Sequence, residues 1–144
     1  MATIEKRYNR DIVALDAKTP VEEAAKVMAD RRIGSVGVRL EGRIVGIVTE
    51  RDIVYRALAT GHFSQITVGE AMRSDLPAVS PQAEERECAE VMRRNFTRHL
   101  LVKEAGEVRG VVSMLDVLQL MVDEKDWLIH QLQQYMKGGR GIAW

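Results

Sequence analysis

Cysteine is almost missing from this chain: Cys88 is the one thiol among 144 residues. A lone thiol points to a reducing compartment, and at a buried helix position it reads as a small core residue rather than a reactive group. Net charge is missing too, since 21 basic residues balance 21 acidic ones. Without a basic excess there is no electrostatic reason to expect nucleic acid or an anionic membrane as a partner. No apolar run is long enough to cross a bilayer, and the N-terminus has no signal-peptide core, so the expected location is cytoplasmic. Catalytic sets are absent as well. No Ser-His-Asp or Cys-His arrangement is suggested, and His62, His99 and His130 lack metal-ligand spacing, which excludes the common hydrolase and zinc-site patterns.

A duplication is present instead. Gly46-Ile47-Val48-Thr49-Glu50-Arg51-Asp52 returns 64 residues later as Gly110-Val111-Val112-Ser113-Met114-Leu115-Asp116. At the same offset Ala14 matches Ala78, Glu23 matches Glu87, Ala25 matches Ala89, Val27-Met28 matches Val91-Met92, and Gly42 matches Gly106. Cys88 falls opposite Ala24. The period exceeds that of solenoid repeats and reads as a duplicated small α/β unit. A unit of about 60 residues buries too little apolar surface to be stable alone, so the two halves are expected to share a core.

Each half reads β-α-β-β-α. Ile12–Leu15 is a short apolar run. Thr19 is a candidate helix cap with Pro20 at the first helical position, and Val21, Ala24, Ala25, Val27 and Met28 follow helical spacing to about Asp30. Ser35–Leu40 and Ile44–Val48 read as strands around a Glu41-Gly42 hairpin turn, followed by a helix from Glu50 to about Thr60, with Gly61 as its stop. The second half repeats the order with Ala78-Val79, a helix from about Glu84 to Asn95, strands His99–Lys103 and Val108–Val112, and a helix from Met114. The expected division is 1–10 as an N-terminal segment, 11–62 and 75–124 as the repeats, 63–74 as a linker, and 125–144 as a C-terminal helical extension. Ile66, Val68 and Met72 are expected to anchor the linker. The last helix carries Leu118, Met121, Val122, Ile129, Leu132, Tyr135 and Met136 at three- and four-residue steps, with Gly138-Gly139 ending it. That surplus stripe needs a cover, either the same chain folded back or a partner subunit.

The repeated phrase ends a strand and starts a helix, where free N–H groups and the helix dipole favour anions. A carboxylate there can accept both cis hydroxyls of a ribose, and a hydroxyl three residues earlier can donate to a phosphate. The same spacing is also a capping box that needs no ligand, and both readings can hold at once. The phrase's glycine either lets backbone approach closely or is an ordinary turn residue. Arg51 could clamp a phosphate bidentately or form a surface salt bridge, whereas its repeat partner Leu115 can do neither.

Together, the two phrases and the β-α-β-β-α order resemble the CBS (cystathionine-β-synthase-type) domain in a tandem pair, a Bateman module, over roughly residues 8 to 124. The resemblance implies an α/β (α+β) fold of two repeats packed sheet to sheet with pseudo-twofold symmetry, plus the long C-terminal helix. It implies a regulatory, non-enzymatic module that binds AMP, ADP, ATP or NAD(H), or S-adenosylmethionine, in clefts between the repeats. Such modules commonly pair into flat homodimers. Carried over, Asp52 and Asp116 would hold ribose, and Thr49 and Ser113 would bond phosphate. Arg98 and His99, which open a strand where the first half has Gly34-Ser35, would point into a cleft; a core-edge role for His99 stands beside that. Adenine would lie against Val13, Ala14, Ala78, Val79, Ser35, Val36, Gly37, Leu100 and Leu101, although Gly37 and Leu101 stand where many relatives have proline. With no catalytic domain in the sequence, a separate effector protein would receive the signal. The alternative is an interaction or dimerisation module with vestigial nucleotide sites.

Overall fold

A computed structural model describes residues 2–137, and the chain divides into two units. One is Arg10–Leu76; the other joins the residues up to Asn9 to those from Pro77 onward. The first contains β1 (Ala14–Asp16), α1 (Val21–Arg31), β2 (Ser35–Leu40), β3 (Arg43–Thr49), α2 (Glu50–Asp52) and α3 (Val68–Ala71). The second contains β4 (Ala78–Val79), α4 (Glu85–Arg94), β5 (His99–Glu104), β6 (Glu107–Ser113) and α5 (Met114–Lys137). Each unit has a three-stranded sheet in sequence order, its first pair parallel and its second antiparallel. The mixed α/β class, the two repeats and the long last helix are as expected. Gly138-Gly139 lie outside the described residues.

Local chemistry explains the elements. Both hairpins turn on two residues of positive φ, Glu41-Gly42 at 52° and 77° and Ala105-Gly106 at 53° and 79°, the I′ geometry that matches strand twist. α1 and α4 each end on a left-handed residue that is not glycine, Arg32 (φ 54°) and Phe96 (φ 51°). Behind each, an amide reaches back to close the last turn: Ile33 to the Met28 carbonyl at 3.0 Å and Thr97 to that of Met92 at 3.1 Å. Thr19 does not cap α1. The cap position is Pro20, with no side-chain bond. The Thr19 backbone is engaged elsewhere, its amide donating to the Asp16 carbonyl and its carbonyl accepting from Val68.

The segments outside the recognised repeats are themselves repeats, again 64 apart. Residues 66–73 lie on the first unit: Val68 is fully buried, Ile66 and Met72 pack on the same core, and the Arg73 amide donates to the Ile47 carbonyl at 3.2 Å. Residues 2–9 lie on the second in the same way. Ile4 is fully buried, and Asn9 and Val111 exchange amide-to-carbonyl bonds of 2.9 and 3.0 Å. Each unit therefore wears a strap that precedes the other unit in the chain.

These straps explain the glycine of the repeated phrase. A Cβ on Gly46 would stand 2.6 Å from the Arg73 carbonyl oxygen, and one on Gly110 would stand 2.2 Å from that of Asn9. Close backbone approach is the reason for glycine here, and the approaching backbone is the chain's own.

The two halves part after the phrase. Where a regular helix to Thr60 is expected, α2 gives way to a π turn over Ile53–Ala57 and a 3₁₀ turn over Leu58–Thr60, stopped by Gly61 at φ 80°. The cause lies at Arg56, whose repeat partner is the buried Leu120. A guanidinium cannot take that place in an apolar core. The wide turn advances the inner face by one residue, so that Ala57 is fully buried and Arg56 donates outward to the Met72 carbonyl at 3.0 Å.

Two buried groups lie in the second unit. Cys88 is fully buried, and burial above all, with the charge of Glu87, pushes its thiol up to about 11, so it stays protonated and inert. Glu85 is 5% exposed, and one of its carboxylate oxygens has no hydrogen-bond partner. Burial first, then hydrogen bonding to Glu124 and its charge, raises this carboxyl above its ordinary 4.5. The folded state therefore holds the proton more tightly than the unfolded chain. That contribution is present below 4.5 and is lost as pH rises through the folded value. Relative to wild type, Glu85→Gln is expected to gain stability as pH rises across this window, measured as the difference in Tm between pH 4 and pH 8. A difference independent of pH would contradict the raised carboxyl.

Candidate functional site

The strand-to-helix corner forms twice with nearly the same geometry. At the first, the Thr49 amide and hydroxyl both donate to Asp52 Oδ2 at 3.0 Å, and the Asp52 amide donates back to Thr49 Oγ1 at 3.2 Å. At the second, the Ser113 amide and hydroxyl donate to Asp116 Oδ2 at 2.8 and 2.9 Å, and the Asp116 amide returns to Ser113 Oγ at 3.1 Å. The capping box is thus real in both copies, and it changes what each group can do.

A hydroxyl carries one proton. Because an ionised carboxylate only accepts, the protons of Thr49 and Ser113 point to their own aspartates. A phosphate, also an acceptor, could have them in exchange for the hydroxyl-to-carboxylate bond alone, since the two amide bonds of the cap do not use these protons. The helix-start amides are mostly engaged too: Glu50 donates to the Gly34 carbonyl at 3.1 Å and Met114 to that of Arg98 at 2.8 Å. In this structure Thr49 and Ser113 both act as caps, and a phosphate is the alternative acceptor for each hydroxyl proton. The aspartates keep capacity, since only Oδ2 takes part in the cap. Asp52 is buried at 6% exposure, with Arg56 Nε 3.9 Å from its Oδ1; Asp116 is half-buried.

The strand starts bring some expected partners together. Ser35 pairs with Thr49 and His99 with Ser113, so each lies beside its own corner. His99 is half-buried, and its backbone is held by Thr97 through its amide and its carbonyl, at 3.3 and 3.1 Å. Arg98 is exposed at the same edge. Arg51 forms no salt bridge among those described. Its guanidinium stacks on Tyr55, 5.1 Å from the ring centroid, which directs it along the surface of its own helical turn.

The adenine-slot residues separate by sheet face. Val36 and Leu100 are core residues at 1% and 0% exposure, and Val13 and Val79 pack against the same two cores. Their side chains are engaged in these cores, which leaves their backbone as the part most open to a ligand. Gly37, Ala14, Leu101 and Ala78 are the alternate positions, paired Ala14 with Gly37 and Ala78 with Leu101. A Cβ on Gly37 would come within 2.7 Å of Ile12 and 3.3 Å of Ile44, so apolar neighbours fill the room a proline or leucine would need.

Sequence reasoning did not find one feature. In the first unit a cavity of about 450 Å³ opens between the C-terminal half of α1 and the start of α2, lined by Met28, Arg32, Ile33, Gly34, Glu50 and Val54 among others. None of the expected site residues lines it. Ile53 and Val54, which belong to the π turn, also line it, and the sequence gives no sign of that turn. Among the described residues no cluster of His, Cys, Asp and Glu could hold a metal ion, and no helix is long and apolar enough to cross a membrane.

The CBS domain family pattern matches twice, over residues 5–59 and 68–123. A CBS domain-containing protein of Bacillus subtilis, YhcV, is 24% identical over 117 residues, covering 81% of this chain and 84% of that one. The mitochondrial CBS domain-containing protein CBSX3 of Arabidopsis thaliana is 31% identical over 126 residues, covering 83% of this chain and 61% of the plant protein. Among solved structures, the CBS-domain containing protein ATU1752 of Agrobacterium tumefaciens aligns with a TM-score of 0.75 at 31% identity, covering 83% and 93% of the two chains.

Proposed function

Because the chain belongs to the CBS-domain family, whose paired members commonly serve as regulatory or signal-transduction modules, we propose that it senses an adenine nucleotide for a separate effector protein. The ligand is AMP, ADP, ATP or NAD(H), and the protein works as a cytoplasmic homodimer without chemistry of its own. The observation that carries this reading is the duplicated aspartate. Asp52 and Asp116 are each locked in place by a cap through one oxygen, which leaves the other to accept ribose hydroxyls. Such preorganisation lowers the ordering cost of binding. Phosphates fall to Arg98, His99 and Arg51, with the hydroxyls of Thr49 and Ser113 as donors that can turn from their aspartates while the amide bonds of the cap hold. Signalling is linkage: a ligand that prefers one arrangement of the protein shifts the population toward it.

A second reading has its own observation. The hydroxyl protons and most helix-start amides are already engaged, as in a corner that needs no ligand, and this favours an interaction module with vestigial sites. Thermal unfolding with AMP, ADP, ATP and NADH separates the two. A sensor gains about 2.7 kcal/mol at a ligand concentration 100 times Kd, seen as a rise in Tm that grows with concentration. No rise with any of the four favours the vestigial reading.

A further inference from the structure

The cavity of the first unit combines an apolar floor with one charge of each sign. Met28 and Ile53 are buried and Ile33 is half-buried, so the floor is continuous with the core of that unit. The charges are Arg32, which caps the end of α1, and Glu50, the first residue of α2; both are exposed and line the same cavity. Among the described residues neither side chain forms an ion pair or a hydrogen bond, with the other or with a third group. Two unlike charges that share a cavity without meeting are both left for an occupant.

Gly34 is what admits the carboxylate. A Cβ there would stand 2.6 Å from Glu50 Oε1, and the Glu50 amide is held by the Gly34 carbonyl at 3.1 Å. The carboxylate therefore lies against the backbone that enters β2. Sixty-four residues on, the places of Arg32, Gly34 and Glu50 are taken by Phe96, Arg98 and Met114. The second repeat thus has no carboxylate at this position, and it has an arginine side chain where the first has none. The charged pair belongs to the first repeat and not to the duplicated corner, whose Thr49 and Asp52 do not line the cavity.

This lining selects among occupants. A phosphate would meet the negative charge of Glu50 at short range. A plain hydrocarbon would cover the floor but leave both charges partly desolvated and unmatched. The cavity volume of about 450 Å³ is that of a small-molecule site. We propose that it binds a free α-amino acid with a large apolar side chain. The ligand carboxylate pairs with the Arg32 guanidinium, its ammonium with Glu50, and its side chain lies over Met28, Ile33 and Ile53. Matching both charges of one small molecule fixes its orientation and rejects amines and acids that carry only one of them. Neither Asp52 nor Asp116 takes part, so the site stands apart from the nucleotide reading.

The test titrates the full chain with L-phenylalanine, followed by calorimetry and by thermal unfolding. Phenethylamine, 3-phenylpropanoate and glycine are run beside it; they lack the carboxylate, the ammonium and the side chain in turn. Phenylalanine is expected to release or absorb heat saturably and to raise Tm with concentration, and each analogue to bind about 10-fold more weakly or worse. Arg32→Gln and Glu50→Gln should each weaken phenylalanine binding by about 10-fold or more. Both residues are exposed, so the fold should persist, and circular dichroism checks it; the analogue series decides without any variant. Phenylalanine that gives neither heat nor a rise in Tm up to its solubility limit, an analogue that binds as well as phenylalanine, or an affinity unmoved by both substitutions would each overturn the proposal.

Discussion

Gly110→Ala is expected to lower the melting temperature by roughly 10 °C, from about 3 kcal/mol of overpacking at a few degrees per kcal/mol. The new methyl would stand 2.2 Å from the Asn9 carbonyl oxygen and 2.6 Å from the Tyr8 ring. Neither can yield cheaply. Asn9 is bonded twice to Val111, and the strap that carries it is pinned at Ile4, which is fully buried. Relief requires lifting the strap, with the loss of that buried side chain. Gly46→Ala should cost about half as much. Its methyl meets the Arg73 carbonyl oxygen at 2.6 Å and the Met72 sulfur at 2.9 Å, and a methionine side chain can swing aside. Scanning calorimetry of the two variants gives the ratio. A double variant that also lacks residues 2–9 supplies the control: once the strap is gone, Gly110→Ala should cost little. Equal costs with and without the strap would show that the glycine serves another purpose.

The second large effect concerns the aspartates, where capping and ligand binding must be separated. Asp116→Asn keeps an oxygen to accept from the Ser113 amide, so the cap survives; Asp116→Ala removes it and should cost about 1 kcal/mol of stability. Both remove the carboxylate proposed to hold ribose, which should weaken nucleotide binding at that site by about 10- to 100-fold, the range for a hydrogen bond to a charged group. Titration calorimetry of the two variants, read beside their Tm values, distinguishes the roles. Affinity lost in both and stability lost only in the alanine variant supports the sensing reading. Asparagine that leaves both unchanged would reduce Asp116 to a cap. The same pair of substitutions at Asp52 should show a larger stability loss, since Asp52 is buried and its removal leaves Arg56 without its nearby carboxylate.

Much of the fold is legible in the chain because it is written in local chemistry and repeated. Thr49 and Asp52, or Ser113 and Asp116, stand three apart and cap whatever helix follows them. Glu41-Gly42 and Ala105-Gly106 turn a hairpin wherever they occur between apolar runs. The site is less legible for a similar reason. The spacing that suggests ribose and phosphate binding is also a capping box, and only the bond directions show that the hydroxyl protons are engaged within the corner. Arg51 illustrates the limit. Its charge suggests a phosphate or a salt bridge, and the structure adds a third partner, the ring of Tyr55 one helical turn on.

The sequence by itself determined the duplication, its period, the order of elements and the corners at which aspartate meets a helix start, because these depend on contacts within a few residues. Only the tertiary structure decided what lies far apart in sequence and close in space. It showed that residues 2–9 strap the unit built from the end of the chain, while residues 66–73 strap the one before them. It also gave the glycine of each phrase its reason, since a Cβ is excluded there by backbone about 100 residues away in one unit and 27 in the other. Local propensity cannot reveal such a constraint, because the clash does not exist until the chain has folded.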